Sequence, residues 1–149
     1  MQINIEPVTV QDRTFLVVRD DLVLGGSKSR ALQPLIRNHP EIAEYVYAGP
    51  TTGHAQIALA LNSVQQGKRA RIFCVGPWTP IQTFIRAQPG VTVVHREHAS
   101  LKKVQRMAEE YCQKHDQSVF LVPFGFDFPE FKQLLEGNEY IYWLNCSII

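Results

Sequence analysis

One lysine stands where it could bond covalently to a carbonyl compound. Lys28 follows Gly25, Gly26 and Ser27 at the expected start of a helix. Glycine lets a backbone turn sharply and come close to a ligand, and Ser27 is placed to cap the helix. The positive helix end favours anions and disfavours a charged ammonium, which helps to produce the neutral amine that Schiff-base chemistry needs. A solvated lysine after an ordinary turn has the same pattern.

The stretch around this lysine is not a phosphate-binding loop of the Walker A type. Such a loop needs a glycine immediately before the lysine and another five residues earlier. The chain has Ser27 and Leu22 at those positions. Lys28 is therefore not the phosphate-binding lysine of a Walker A loop.

Strands alternate with helices along the chain, after an extended lead-in over residues 1–20. Such alternation implies a parallel sheet of about four strands with helices on both faces, in one α/β domain over residues 1–149. Pro34 is expected to kink or shorten the first helix, and residues 40–44 are expected to form one further helical turn. The expected strands are 14–18, 45–48, 70–75, 91–94, 118–122 and 140–144, and the expected helices are 27–37, 52–66, 79–87, 100–115 and 129–135.

Three turns rich in glycine or proline follow the expected strands, at residues 48–54, 75–78 and 122–127. Parallel α/β sheets bind ligands beyond the carboxyl ends of their strands. The first turn opens directly onto a helix N-terminus, where Thr51 and Thr52 offer hydroxyl groups, and it is the better candidate for an anionic ligand group. His54 is either a polar ligand contact or a structural residue at the helix start.

Composition excludes several classes of function. The 149 residues are 45% hydrophobic and 19% charged with a net charge of +1, which is typical of a soluble globular protein with no electrostatic preference for nucleic acid or an anionic membrane. No apolar run is long enough to cross a bilayer, and the N-terminus lacks a secretory signal. The widely spaced Cys74, Cys112 and Cys146 indicate reduced thiols and a cytoplasmic location. The histidines show no ligand-like pairing with them, and no metal site is expected.

Two stretches together resemble a known family. Residues 25–30, Gly-Gly-Ser-Lys-Ser-Arg, are similar to the lysine motif of the fold-type II (tryptophan synthase beta-like) pyridoxal-phosphate enzymes, nearest the branch of aminocyclopropane-carboxylate deaminase and D-cysteine desulfhydrase. About twenty residues later, Thr51-Thr-Gly-His-Ala-Gln56 resembles the superfamily's Ser-Gly-Asn-His-Ala-Gln segment. Residues 122–125, Val-Pro-Phe-Gly, resemble the turn after the last strand of the family's small domain.

The resemblance implies a lyase or deaminase-like reaction on a small amino acid, with pyridoxal 5'-phosphate as the cofactor. It implies that Lys28 forms the Schiff base and later transfers protons. It also implies that Gly53 and His54 lie against the cofactor, and that Thr51, Thr52 and His54 contact the substrate. Residues 31–137 would correspond to the small domain, and residues 1–30 and 138–149 to pieces of the large domain.

The chain also departs from the family. Gly53 matches an asparagine that contacts the cofactor ring, and Ser27 replaces another asparagine. The resemblance covers the N-terminal half of a family enzyme, without its glycine-rich phosphate loop, so the chain is expected to be truncated or completed by a homo-oligomer or a partner chain. Two alternatives stay open: a non-catalytic α/β remnant that binds a metabolite or a protein, and an unrelated flavodoxin-like domain.

Overall fold

The computed structural model describes residues 4–115 and 117–135. Strands and helices alternate through most of this part of the chain. In chain order the elements are β1 (Ile5–Val10), β2 (Arg13–Val18), α1 (Gly26–Asn38), β3 (Glu44–Pro50), α2 (Ala55–Gln65), β4 (Arg69–Val75), α3 (Pro80–Arg86), β5 (Val91–Arg96), α4 (Leu101–Lys114), β6 (Val119–Leu121) and α5 (Pro129–Leu135).

The main sheet has four parallel strands in the order β5-β4-β3-β6. The longest pairing joins β3 to β4, from Glu44 opposite Arg69 to Pro50 opposite Val75. Both strands therefore end at the same edge of the sheet, and the turns that follow them lie side by side. The expected α/β class, with a parallel sheet of about four strands, is confirmed.

Side chains alternate between the two faces of the sheet, as the pleat of a strand requires. Tyr45 and Tyr47 of β3 join a core with α1, α2 and α3, whereas Val46 and Ala48 join a second core with α4. The apolar face predicted for α4 packs there, with Val104 and Ala108 fully buried. Helices therefore cover both faces.

The N-terminal strands form a separate antiparallel hairpin. Residues 14–18 form a strand as expected, within β2. Residues 5–10, within the expected extended lead-in, form β1 and pair with β2. Gln11 and Asp12 both have positive φ in the connecting turn, a conformation that usually attracts glycine or asparagine, so the sequence carried no clear hairpin signal.

Several element boundaries differ from the expected ones. Pro34 lies inside α1 without ending it. The further helical turn expected over residues 40–44 is wrong, because a single hydrogen bond from Ile42 N to His39 O closes a turn before β3. α2 begins at Ala55, three residues later than expected. The strand expected over residues 140–144 lies outside the described residues.

Within the described part of the chain, no helix is both long and apolar enough to cross a membrane.

Candidate functional site

Lys28 lies in the first turn of α1, where the sequence placed it. The N-cap is Gly25, with φ of 89° and no side-chain hydrogen bond, so the expectation that Ser27 caps the helix is wrong. Two other bonds hold the turn: Gly26 N donates to Val23 O at 2.7 Å, and Ser29 Oγ donates to Leu24 O at 2.8 Å. The backbone leading to Lys28 is thereby fixed.

Gly25 is needed because α2 passes directly beside it. A Cβ at this position would lie 2.8 Å from Ala58 Cα and 2.4 Å from Ser29 Oγ. Asn62 Nδ2 then donates to Ser29 Oγ at 2.9 Å, one helical turn further along α2. The close approach seen at Gly25 is to helix α2, and an approach to a ligand stays a prediction.

A buried ion pair also anchors the start of α1. Arg30 Nη2 lies 2.8 Å from Asp20 Oδ2, and the two side chains are 4% and 12% exposed. Burial raises the pKa of the Asp20 carboxyl, although the neighbouring guanidinium opposes the shift. This pair ties the 3₁₀ turn Asp20–Leu22 to the helix that carries Lys28.

The Lys28 side chain is half-buried and faces the turn that follows β6. Its Nζ lies 5.9 Å from the centroid of the Phe126 ring. Phe126 is fully buried and meets Tyr47 edge-on, with ring centroids 6.1 Å apart. Phe128 also belongs to this core, whereas Phe124 is 52% exposed. The turn at 122–127, the third one predicted at this sheet edge, is thus a neighbour of the lysine.

The turn of residues 51–54 joins β3 to α2 and opens onto the helix start, as expected. Thr51 is buried, and its N–H donates to Val75 O at 2.9 Å. Thr52 and His54 are exposed, and His54 is the N-cap of α2 without a side-chain cap bond. The N–H groups of Thr52, His54 and Ala55 have no backbone acceptor among the described residues, so the turn presents donors at the positive end of a helix.

Two fully buried glutamines fix this turn from behind, and sequence reasoning assigned a role to neither. Gln56 Nε2 donates to Pro50 O, and Gln82 Nε2 donates to Thr51 O at 2.8 Å. Gln82 Nε2 also donates to Gln56 Oε1 at 3.0 Å, which joins the two amides. A glutamine in a helix carries no sequence signal of such a contact, because its partners lie 26 and 31 residues away.

The turn after β4 lies against the first one. A Cβ at Gly76 would lie 2.9 Å from Thr51 Oγ1, so the buried Thr51 hydroxyl faces this second turn. His95 Nε2 donates to Gly76 O at 2.7 Å, and the exposed Trp78 ring meets His95 edge-on at 5.2 Å. Thr51 is buried, whereas Thr52 and His54 are exposed, and the contacts of all three with a substrate stay predictions.

Comparison with known proteins shows the fold. The chain matches no protein-family model and no curated protein sequence. Among solved structures, it is similar to an ACC deaminase homologue (TM-score 0.63, 16% identity, 85% of this chain and 44% of the other). It is also similar to an O-acetylserine dependent cystathionine beta-synthase from Helicobacter pylori (TM-score 0.60, 21% identity, 81% and 43%), and to a pyridoxal 5'-phosphate-dependent aspartate racemase (TM-score 0.60, 16% identity, 81% and 38%).

The α/β fold of the described residues is therefore similar to part of these solved structures, which are fold-type II pyridoxal-phosphate enzymes. The chain spans between 38% and 44% of the length of these three proteins. The ACC deaminase homologue is one of several kinds of enzyme among the similar structures, so the fold does not assign the chain to that branch. The division into residues 1–30, 31–137 and 138–149 stays a prediction.

The described residues fit one part of this cofactor. Its aldehyde needs a primary amine, and the half-buried Lys28 supplies one beside an aromatic core. Gly53 has no side chain to offer a ring hydroxyl, and a Cβ there would lie 3.3 Å from Pro50 O. No counterpart of the family's glycine-rich phosphate loop occurs in residues 4–115 and 117–135. The fit is therefore limited to the amine that would hold the cofactor aldehyde.

Proposed function

We propose that this chain carries the lysine-bearing part of a pyridoxal-phosphate-dependent lyase or deaminase-like protein that acts on a small amino acid. The observation that carries the proposal is the position of Lys28, held at the start of α1 against α2 in a fold-type II arrangement. The bound cofactor would supply the electron sink for breaking a bond at the substrate's α-carbon.

Each part of the site has a separate task in this proposal. Lys28 would attach the cofactor and hold or move a proton at its Nζ atom. The N–H groups of Thr52, His54 and Ala55 would bind the substrate carboxylate at the positive end of α2. The buried core around Phe126 would exclude water on the side of the lysine.

Borohydride trapping tests the role of Lys28. We expect the 149-residue chain to develop a new absorbance band with pyridoxal 5'-phosphate. After reduction, peptide mass spectrometry should find the adduct on Lys28. Lys28→Arg keeps the positive charge but has no primary amine, so both the band and the adduct should disappear.

A matched control separates this site from chance modification. Lys102 is an exposed lysine of α4, on the opposite face of the sheet. Lys102→Arg should leave the band unchanged, because surface lysines react weakly and without preference. Equal labelling of Lys28 and Lys102 at limiting cofactor would overturn the proposal.

A second candidate is a non-catalytic α/β module that binds a metabolite or a protein partner. Gly53 favours it, because this residue cannot make the ring contact that the family's asparagine makes. Trapped cofactor on Lys28 without turnover of D-cysteine or aminocyclopropane carboxylate would support this candidate over the enzyme.

The proposal includes a second copy or a partner chain. Apolar side chains of the hairpin are exposed, among them Val10 at 51% and Leu16 at 50%, and such exposure is typical of surfaces that associate. A cytoplasmic location stays a prediction from the spacing of the three cysteines. So does the absence of a metal site.

A further inference from the structure

We infer that Gln82 is a positioning residue, whose buried amide aims the N–H groups of Thr52, His54 and Ala55 at the carboxylate of a bound amino acid. The identity of the ligand rests on the proposed function. The positioning itself rests on contacts that the structure gives between α3 and the turn of residues 51–54.

The Gln82 amide uses its full set of hydrogen bonds. Nε2 donates to Thr51 O at 2.8 Å and to Gln56 Oε1 at 3.0 Å. Oε1 accepts from Thr79 N at 3.0 Å and from Thr79 Oγ1 at 2.7 Å. The side chain is fully buried. An amide saturated in this way has one orientation, because any rotation would leave a buried donor facing a donor.

This amide is where the two strand-end turns are joined. Thr51 O is the last carbonyl before the exposed donors of the first turn, and Thr79 is the N-cap of α3 at the end of the second turn. Gln56 extends the link to Pro50 O, on the other side of Thr51. Gln82 therefore restrains the peptide unit between Thr51 and Thr52 directly, and the one between Pro50 and Thr51 through Gln56. The backbone turns toward α2 after these two units.

Two of the Gln82 bonds have a structural role, because the bonds from Thr79 to Gln82 Oε1 complete a capping box at the start of α3. The two bonds from Gln82 Nε2 are not part of that cap, and they reach Thr51 O and Gln56 Oε1 on other elements. What they add is a buried restraint on the direction of the Thr51 carbonyl. A site that binds an anion through backbone N–H groups depends on this kind of preorganisation.

Gln82→Glu tests the inference through its pH profile. The two acceptors that Gln82 Nε2 contacts would then face a carboxyl oxygen, which can donate only when protonated. We expect the amide NMR signals of residues 52–55 to lie nearest the wild type in acid, where the single carboxyl proton still donates to one of the two acceptors, and to shift further as the pH rises and the carboxyl ionises. Affinity for glycine, used as the probe, should fall at least about tenfold over the same range, since a buried acceptor loses its donor.

Gln88→Glu is the matched control. Gln88 lies just beyond the C-terminal end of α3, at the surface, where its amide donates to Phe84 O at 3.2 Å. We expect this variant to follow the wild type at every pH, because the Gln82 amide is unchanged in it. A Gln82→Glu profile that coincides with that of Gln88→Glu would overturn the inference.

Gln82→Met keeps the test decisive if the acidic variant does not fold. It conserves volume and removes the amide, so the protected N–H groups of Thr51 and Gly53 should exchange with deuterium at least about tenfold faster, while the strand amide of Val46 stays unchanged. Unchanged exchange at Thr51 would overturn the positioning role.

The two proposals fail in different ways. If the wild type binds neither glycine nor pyridoxal 5'-phosphate, the proposed function fails. The pH-dependent shift of the turn signals in Gln82→Glu would in that case still support the positioning role, since it needs no ligand. If the wild type binds both and the variants bind equally well at all pH values, the positioning role fails alone.

Discussion

Replacing Gly25 with alanine tests how the lysine-bearing helix is held. The new Cβ would lie 2.8 Å from Ala58 Cα, 2.9 Å from Ala58 Cβ and 2.4 Å from Ser29 Oγ. The serine hydroxyl can rotate away, but the α2 backbone cannot. The residue also has φ of 89°, a conformation that costs an L-residue about 1–2 kcal/mol.

The expected loss has two parts. The left-handed backbone accounts for about 1–2 kcal/mol. Forcing α1 away from α2 adds about 1–3 kcal/mol, the usual range for inserting a methyl group into a packed interface. Gly25→Ala should therefore reduce the free energy of unfolding by about 2–5 kcal/mol, which is a large share of the stability of a typical domain.

A comparison with Gly67→Ala isolates the part of the stability loss that is due to the contact with Ala58. Gly67 has φ of 68°, and a Cβ there would meet nothing within 4 Å. This variant bears only the backbone cost, so Gly25→Ala should be less stable by about 1–3 kcal/mol. Urea unfolding measures both values under the same conditions. If the two variants lose equal stability, the close packing of Gly25 on Ala58 is not what holds α1.

Two other predictions concern stability and reactivity. Asp20→Asn should lower the free energy of unfolding, measured in urea, by about 3–5 kcal/mol, because it leaves the buried Arg30 guanidinium without its carboxylate. Adding Arg30→Met should recover part of that loss. If the double variant recovers no stability, the ion pair is not what holds the start of α1. Burial raises the pKa of the Cys74 thiol to about 11. Burial, together with the negative charge of Glu44, raises the pKa of the Cys112 thiol to about 11 as well. The folded state thus favours the neutral thiols, and their contribution to stability, complete below pH 9, should be lost as the pH rises toward 11. Thermal unfolding across this range should show less alkaline loss in Cys74→Ala, and iodoacetamide should label Cys74 more slowly than an unfolded control at neutral pH.

The sheet could be predicted from the sequence because its signals are local. Apolar runs such as residues 70–75 are bounded by glycine or proline, and their alternation with amphipathic helices leaves few other topologies. The hairpin of β1 and β2 lacks such a local signal. Its turn contains no glycine, and Gln11 adopts positive φ there although glutamine has no marked preference for turns.

The site could be predicted only as a set of separate pieces. The lysine, the Thr51–His54 turn and the Val122–Asp127 turn were each recognisable from residue types. Their relation depends on contacts between residues far apart in the chain, such as Gly25 with Ala58. The sequence indicated a close approach of the backbone at this glycine but not which neighbour approaches it, because a glycine permits close approach to any neighbour.

The two sides of the candidate site are held to α2 by different interactions. The side of Lys28 depends on a glycine that lets α1 approach Ala58, and the turn of residues 51–54 depends on the buried amides of Gln56 and Gln82. Ala58 and Gln56 are two residues apart on the same helix, so α2 is the common support for both sides. Buried hydrogen bonds that reach across two neighbouring strand ends hold its first turn. A movement of that turn would therefore shift the exposed residues Thr52 and His54 and the start of α1 together.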